Sequence, residues 1–174
     1  MNEALVLDEG SKRRSRDKVA RDIMIPEYKY PTVYEHATIR EAIIELMDSY
    51  DTELSDKRLI YTVHRSMLVV NSKGEIIGFL SVRHLIQALI PKNMDVPVHA
   101  SEFWTQAKSL SIKKVKDIMI PDLVTVPINL GLSEVAPKMA KHNTRRVAVV
   151  DEEGDVVGIL REQELFFELV NIIL

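Results

Sequence analysis

Apolar residues recur along the chain at two spacings, and the alternation between them organises the sequence. Ile39, Ala42, Ile43, Leu46 and Met47 fall on one face of a helix, at i, i+3, i+4, i+7 and i+8. Thr38 followed by Glu41 supplies a capping box in front of them. Just upstream, Thr32-Val33-Tyr34 has the β-branched and aromatic character of a short strand. Downstream, Met67–Val70 and Glu75–Leu80 flank Asn71-Ser72-Lys73-Gly74, which predicts a hairpin with glycine where positive φ is wanted. Val82, Leu85, Ile86 and Leu89 return to helical spacing, and Pro91 ends it.

The same series occurs twice. Asp22-Ile23-Met24-Ile25-Pro26 returns letter for letter as Asp117-Ile118-Met119-Ile120-Pro121. Thr125-Val126 repeats the strand, and Leu132, Val135, Ala136, Met139 and Ala140 repeat the helical face. Pro137 lies inside that face and removes a backbone donor, which predicts a late start or a kink. Val147–Val150 and Asp155–Leu160 flank Asp151-Glu152-Glu153-Gly154, and Leu165, Phe166, Leu169, Val170 and Ile173 make the last helix. The repeated blocks stand further apart in the first copy, which places an insert near residues 48–66. The expected organisation is a flexible basic arm over 1–18, a first repeat over 19–90, a linker over 91–111 and a second repeat over 112–174. One such unit alone exposes an apolar sheet face and an edge. The expected fold is therefore α+β, two β-α-β-β-α repeats packed with pseudo-two-fold symmetry and clefts at the seam.

Composition narrows the chemistry. The 174 residues are 46% hydrophobic and 28% charged, as in globular chains, and contain no cysteine. Disulfides, cysteinyl zinc sites, iron–sulfur clusters and thiol nucleophiles are excluded. A net charge of −3 provides no overall attraction to nucleic acid, so the basic run 11–18 is read as a solvated arm. His36, His64, His84, His99 and His142 lack metal-ligand spacing, and Asp48, Asp51, Glu53 and Asp56 do not fit an EF-hand. Neither a P-loop, nor a dinucleotide fingerprint, nor a nucleophile elbow is present. No apolar stretch approaches the ~20 residues of a membrane span, and acids interrupt the N-terminus before a signal sequence forms. The protein is expected in the cytoplasm, with no catalytic residues, no metal and no required cofactor.

The Val-x-Asp-Ile-Met blocks, the Thr-Val strands, the capped helix ending in Leu46-Met47, the Val-Val-Asn/Asp-x-x-Gly hairpins and the Gly-hydrophobic-hydrophobic turns into the last helices have a known counterpart. Each copy resembles the cystathionine-β-synthase-type (CBS) domain, and the pair resembles a tandem CBS (Bateman) module. The resemblance implies a non-catalytic regulatory module that senses AMP, ADP, ATP or S-adenosylmethionine in inter-repeat clefts and signals to a partner protein. It also implies a ligand motif, Gly-h-h-Thr/Ser-x-x-Asp, whose hydroxyl contacts phosphate and whose carboxylate holds the ribose hydroxyls. The first copy keeps the hydroxyl at Ser81 but has His84 in the acid position; the second has Arg161 for the hydroxyl and Glu164 for the acid. A carboxylate is an acceptor-only group suited to a diol, whereas neutral histidine has one acceptor nitrogen, so Glu164 is the better ribose candidate. Arg161 offers phosphate a charged fork in place of the hydroxyl. Arg65, and Arg145 with Arg146, stand just before the inner strands and would add cations at the cleft mouth. The backbones of Thr32 and Thr125 would line the adenine pocket. The alternative is a structural dimerisation module whose clefts no longer bind nucleotide. Phe166–Leu174 is apolar almost all round, which predicts a homodimer interface. Trp104, in a helix expected to start at Ser101, is expected to plug the core between the repeats rather than stand exposed for a partner.

Overall fold

The computed structural model describes residues 18–54, 64–89 and 99–173. In chain order its first elements are α1 (Ala20–Ile23), β1 (Ile25–Pro26), a 3₁₀ turn (Glu27–Lys29), β2 (Thr32–Tyr34), α2 (Ile39–Leu54), β3 (Ser66–Val70), β4 (Ile76–Ser81) and α3 (Val82–Ala88). There follow α4 (Ala100–Ser111), a second 3₁₀ turn (Val115–Asp117), β5 (Thr125–Pro127), α5 (Leu132–Lys141), β6 (Arg146–Val150), β7 (Val156–Arg161) and α6 (Glu162–Ile173). The class is α+β with two repeats, and the predicted order of strands and helices is present in both.

Contacts divide the chain into two compact units, residues 30–123 and residues 18–29 together with 124–173. In the unit 30–123, β2 pairs parallel with β3, which pairs antiparallel with β4. The parallel step requires a crossover, and α2 supplies it. Its core holds Val33, Ile39, Ala42, Leu46, Met67, Val69 and Leu80, joined by Leu110 and Val115 and flanked by Ile118 and Met119. In the other unit the sheet order is β1-β7-β6-β5, with β5 parallel to β6. Val126, Val135, Met139, Val147, Val149, Leu160 and Leu165 form its core with Ala20, flanked by Ile23 and Met24. Each D-I-M-I-P block thus completes the core built by the other copy's strands.

Close backbone approach makes this exchange possible. Phe79 and Ile120 trade two backbone hydrogen bonds, at 3.0 and 2.9 Å, and Ile25 is in register with Ile159. A Cβ on Gly78 would collide with the carbonyl oxygen of Ile120; one on Gly158 would lie 2.6 Å from Met24 Sδ and 2.9 Å from the Ile25 carbonyl oxygen. Pro26 and Pro121 follow at once and cannot donate, so the added pairing stays short. The aspartate of each block caps its own turn: Val19 N–H donates to Asp22 at 2.9 Å and Lys114 N–H to Asp117 at 3.2 Å.

Several local expectations change. The helix over the second apolar face does not start late. It begins at Leu132 and runs through Pro137, because the proline deprives only the carbonyl of Ser133, an exposed residue. Ser101 is not a cap; α4 starts at Ala100 behind His99. Trp104 is 64% exposed and edge-on to Phe103 rather than a core plug, since α4 buries only Leu110. The start of the first-copy insert extends α2 to Leu54, whereas 55–63, the linker stretch 90–98 and the basic arm before Lys18 lie outside the described residues. No helix among the described residues is long and apolar enough to cross a membrane.

Adding a methyl group at Gly78 or Gly158 forces a backbone shift, so Gly78→Ala and Gly158→Ala are each expected to cost about 2 kcal/mol in urea unfolding. Gly131→Ala, whose added Cβ meets nothing closer than 3.6 Å, is expected to cost under about 1 kcal/mol. Equal effects at the three positions would contradict the close-approach account. The capping box of α2 generates a pH prediction. Thr38 N–H and Oγ both donate to Glu41, at 2.6 and 2.8 Å. The backbone bond first, then the side-chain bond, with Lys114 assisting, holds the Glu41 carboxyl below its usual 4.5. A depressed folded pKa contributes stability above the unfolded pKa that is lost as pH falls through the folded one. Glu41→Gln is therefore expected to be less stable than wild type at neutral pH, with the gap closing in acid; a pH-independent gap would refute the assignment.

Candidate functional site

In the unit 30–123, the residues expected from sequence gather at one end of the sheet. Thr32 opens the edge strand β2, where its hydroxyl donates to the Tyr30 carbonyl at 3.1 Å, and it is in register with Leu68. Arg65 is exposed and precedes β3, and its carbonyl accepts from Val82 N–H at 3.1 Å, the first residue of α3. Ser81 closes β4 directly opposite Ser66. Its buried hydroxyl accepts from His84 N–H at 3.4 Å, and its own N–H donates to His84 Nδ1 at 3.3 Å. His84 therefore plays the capping-box part of an acid. With Nδ1 accepting, the neutral ring carries its proton on Nε2, so it presents a donor where a carboxylate presents acceptors.

Sequence reasoning missed the buried polar cluster beneath. Tyr30 Oη and Ser66 Oγ are 2.6 Å apart, and the buried His64 ring meets Tyr30 edge-on at 4.5 Å. Internal repetition offered no signal for it, because the counterpart of Ser66 in the second copy is Arg146.

In the unit 18–29 with 124–173 the frame is the same and the chemistry differs. Thr125 opens the edge strand β5, and the Arg145 carbonyl accepts from Glu162 N–H at 2.9 Å at the start of α6. Arg146 and Arg161 are cross-strand partners. The Arg145 guanidinium reaches Glu162 at 3.7 Å, both side chains exposed. The Arg161 and Glu164 side chains are only 10% and 16% exposed and are bound to each other. Arg161 Nε donates to both carboxylate oxygens at 3.0 and 3.1 Å, Nη2 donates to Oε1 at 2.5 Å, and the Arg161 backbone N–H donates to Oε2 at 2.9 Å. Removing one member of a buried pair typically costs roughly 3 kcal/mol or more, because the other charge stays behind. No group of three metal-ligating side chains is found among the described residues.

The CBS domain family profile matches residues 20–91 and 115–171, most of the chain. The chain belongs to the CBS domain family. The magnesium transporter MgtE of Thermus thermophilus is 31% identical over 147 residues, which cover 84% of this chain and 26% of that protein. Among solved structures, the cytosolic domain of the Mg²⁺ channel MgtE in complex with ATP superposes with a TM-score of 0.57 at 28% identity, covering 91% of this chain and 51% of that one. CBSX2 of Arabidopsis thaliana in complex with AMP superposes with a TM-score of 0.61 at 19% identity, covering 88% and 97%, which shows the shared CBS-pair fold.

Proposed function

We propose that this CBS pair is a regulatory module that binds an adenosine-containing ligand, AMP, ADP, ATP or S-adenosylmethionine, and carries no catalytic residues of its own. The observation that carries this reading is the meeting of Ser81 and His84 at the β4–α3 junction, the two places where the family motif has its hydroxyl and its acid. Membership of the family supports it, as do the ATP and AMP complexes of the two structural relatives. Thr32, Arg65, Ser81 and His84 are the ligand contacts of the first copy; Thr125, Arg145, Arg146, Arg161 and Glu164 stand at the corresponding positions of the second. Ligand binding changes the molecule only through differential affinity for two of its states, and a partner protein in the cytoplasm reads the difference.

Calorimetric titration of the full chain with the four ligands tests this. Ligand at a hundredfold excess over Kd stabilises a protein by ~2.7 kcal/mol, so heat is expected together with a rise in Tm. Neither heat nor a Tm rise with any of the four would overturn the reading. His84→Asp restores an acceptor-only carboxylate and is expected to tighten binding about tenfold; unchanged or weaker binding would remove His84 from the ligand contacts.

A second reading, dimerisation, rests on α6. Phe166, Leu169 and Ile173 lie at i, i+3 and i+7 and are 58%, 51% and 74% exposed. In this reading the stripe mates with a second copy of the chain. Sedimentation is expected to give a dimer mass at micromolar concentration and a monomer mass for Leu169→Glu; a monomeric wild type would end it.

A further inference from the structure

The two copies place different chemistry on one backbone frame. In the second copy, Glu164 is held by three N–H groups of Arg161: the backbone N–H on Oε2, Nη2 on Oε1, and the single Nε–H shared between both oxygens. A carboxylate has about four lone-pair sites, so three donors from one arginine leave about one, too few for the two hydroxyls of a ribose. The Arg161 edge formed by Nε and Nη2, the edge a phosphate would take in a paired fork, faces Glu164. The residue as a whole is 9% exposed. Arg146 lies directly across the strand pair, so drawing Glu164 away would leave two guanidinium-bearing side chains opposed on one sheet. Neither member of the pair can turn to a ligand without stranding the other. In the first copy the same positions carry neutral groups, with Ser66 opposite Ser81. The Ser81–His84 bonds there, at 3.3 and 3.4 Å, lie beyond the usual range and are readily exchanged for contacts to a ligand.

We infer, on the nucleotide reading above, that the Arg161–Glu164 pair closes the second copy's ligand position from within, so that each chain takes a single nucleotide, at the first copy. The pair is an autoinhibitory contact built from the two residues that replace the motif's hydroxyl and acid. It reverses the ranking that the residue types alone suggest, in which Glu164 is the better ribose ligand.

The test is the number of ATP molecules bound per chain, measured by calorimetry on the full chain and on the double variant Arg161→Ser with Glu164→Asp, which restores a hydroxyl and a short acid. One ATP for the wild type and two for the double variant are expected. Ser81→Ala in the wild type is expected to weaken the single site about tenfold, and unchanged affinity would place the nucleotide elsewhere and overturn the inference. Two ATP on the wild type, or one on both proteins, overturns the inference and leaves the nucleotide reading standing. None on the wild type and one on the double variant upholds the closure and overturns the nucleotide reading for the natural chain. None on either overturns both. Should the double variant not melt cooperatively, Arg161→Ser alone, which restores the hydroxyl and frees the Glu164 carboxylate, takes its place with the same outcomes.

Discussion

The rest of the structure depends on the contact between each D-I-M-I-P block and a glycine in the other copy's sheet. Hydrophobic burial draws Ile23 and Met24 onto one core and Ile118 and Met119 onto the other. Burial has no direction, however, and would tolerate several dockings. Direction comes from the backbone, which reaches hydrogen-bonding distance only where no Cβ intervenes, at Gly78 and Gly158. The prolines that follow stop the pairing, and Asp22 and Asp117 hold the turns that deliver it. A unit that would be marginal from its own strands and helices gains apolar area from residues far away in sequence.

That shared frame delivers two sets of side chains to equivalent places, and their chemistry has diverged. At the first, the cap of α3 is made by a hydroxyl and an imidazole in mutual hydrogen bonding. At the second, the corresponding residues are a buried arginine and glutamate that satisfy each other. The first cap is held by two long bonds, at 3.3 and 3.4 Å. A buried ion pair whose carboxylate is held by three donors of one arginine is self-contained, because opening it leaves both partners desolvated without compensation. One architecture therefore carries two caps of different chemistry.

The fold was legible in the residues to an unusual depth because the chain states its pattern twice. Capping at Thr38 and Glu41 and the hairpin turns at Gly74 and Gly154, with φ of +84° and +89°, stand where the pattern put them, whereas the helical faces are buried only in part: Ala42 and Leu46 are buried, Ile43 and Met47 exposed. What periodicity missed was decided by distant neighbours. Trp104 is exposed because the core of its unit takes Leu110 from α4 instead. Tyr30, His64 and Ser66 cluster only because β2 and β3 are brought side by side across a long crossover. Lys18 and Glu168, 150 positions apart, meet at 2.8 Å by the same kind of accident of folding.

The sequence by itself determined the two-copy organisation, the order of strands and helices and the family, because these follow from local propensity, spacing and repetition. Tertiary structure alone decided which sheet each leading block joins and what the motif residues do with their hydrogen bonds. Residue type says that Glu164 can accept from a diol and that Arg161 can grip a phosphate. Only the fold says that the two are buried together, and a carboxylate held by three donors of its own arginine has too little left for a diol.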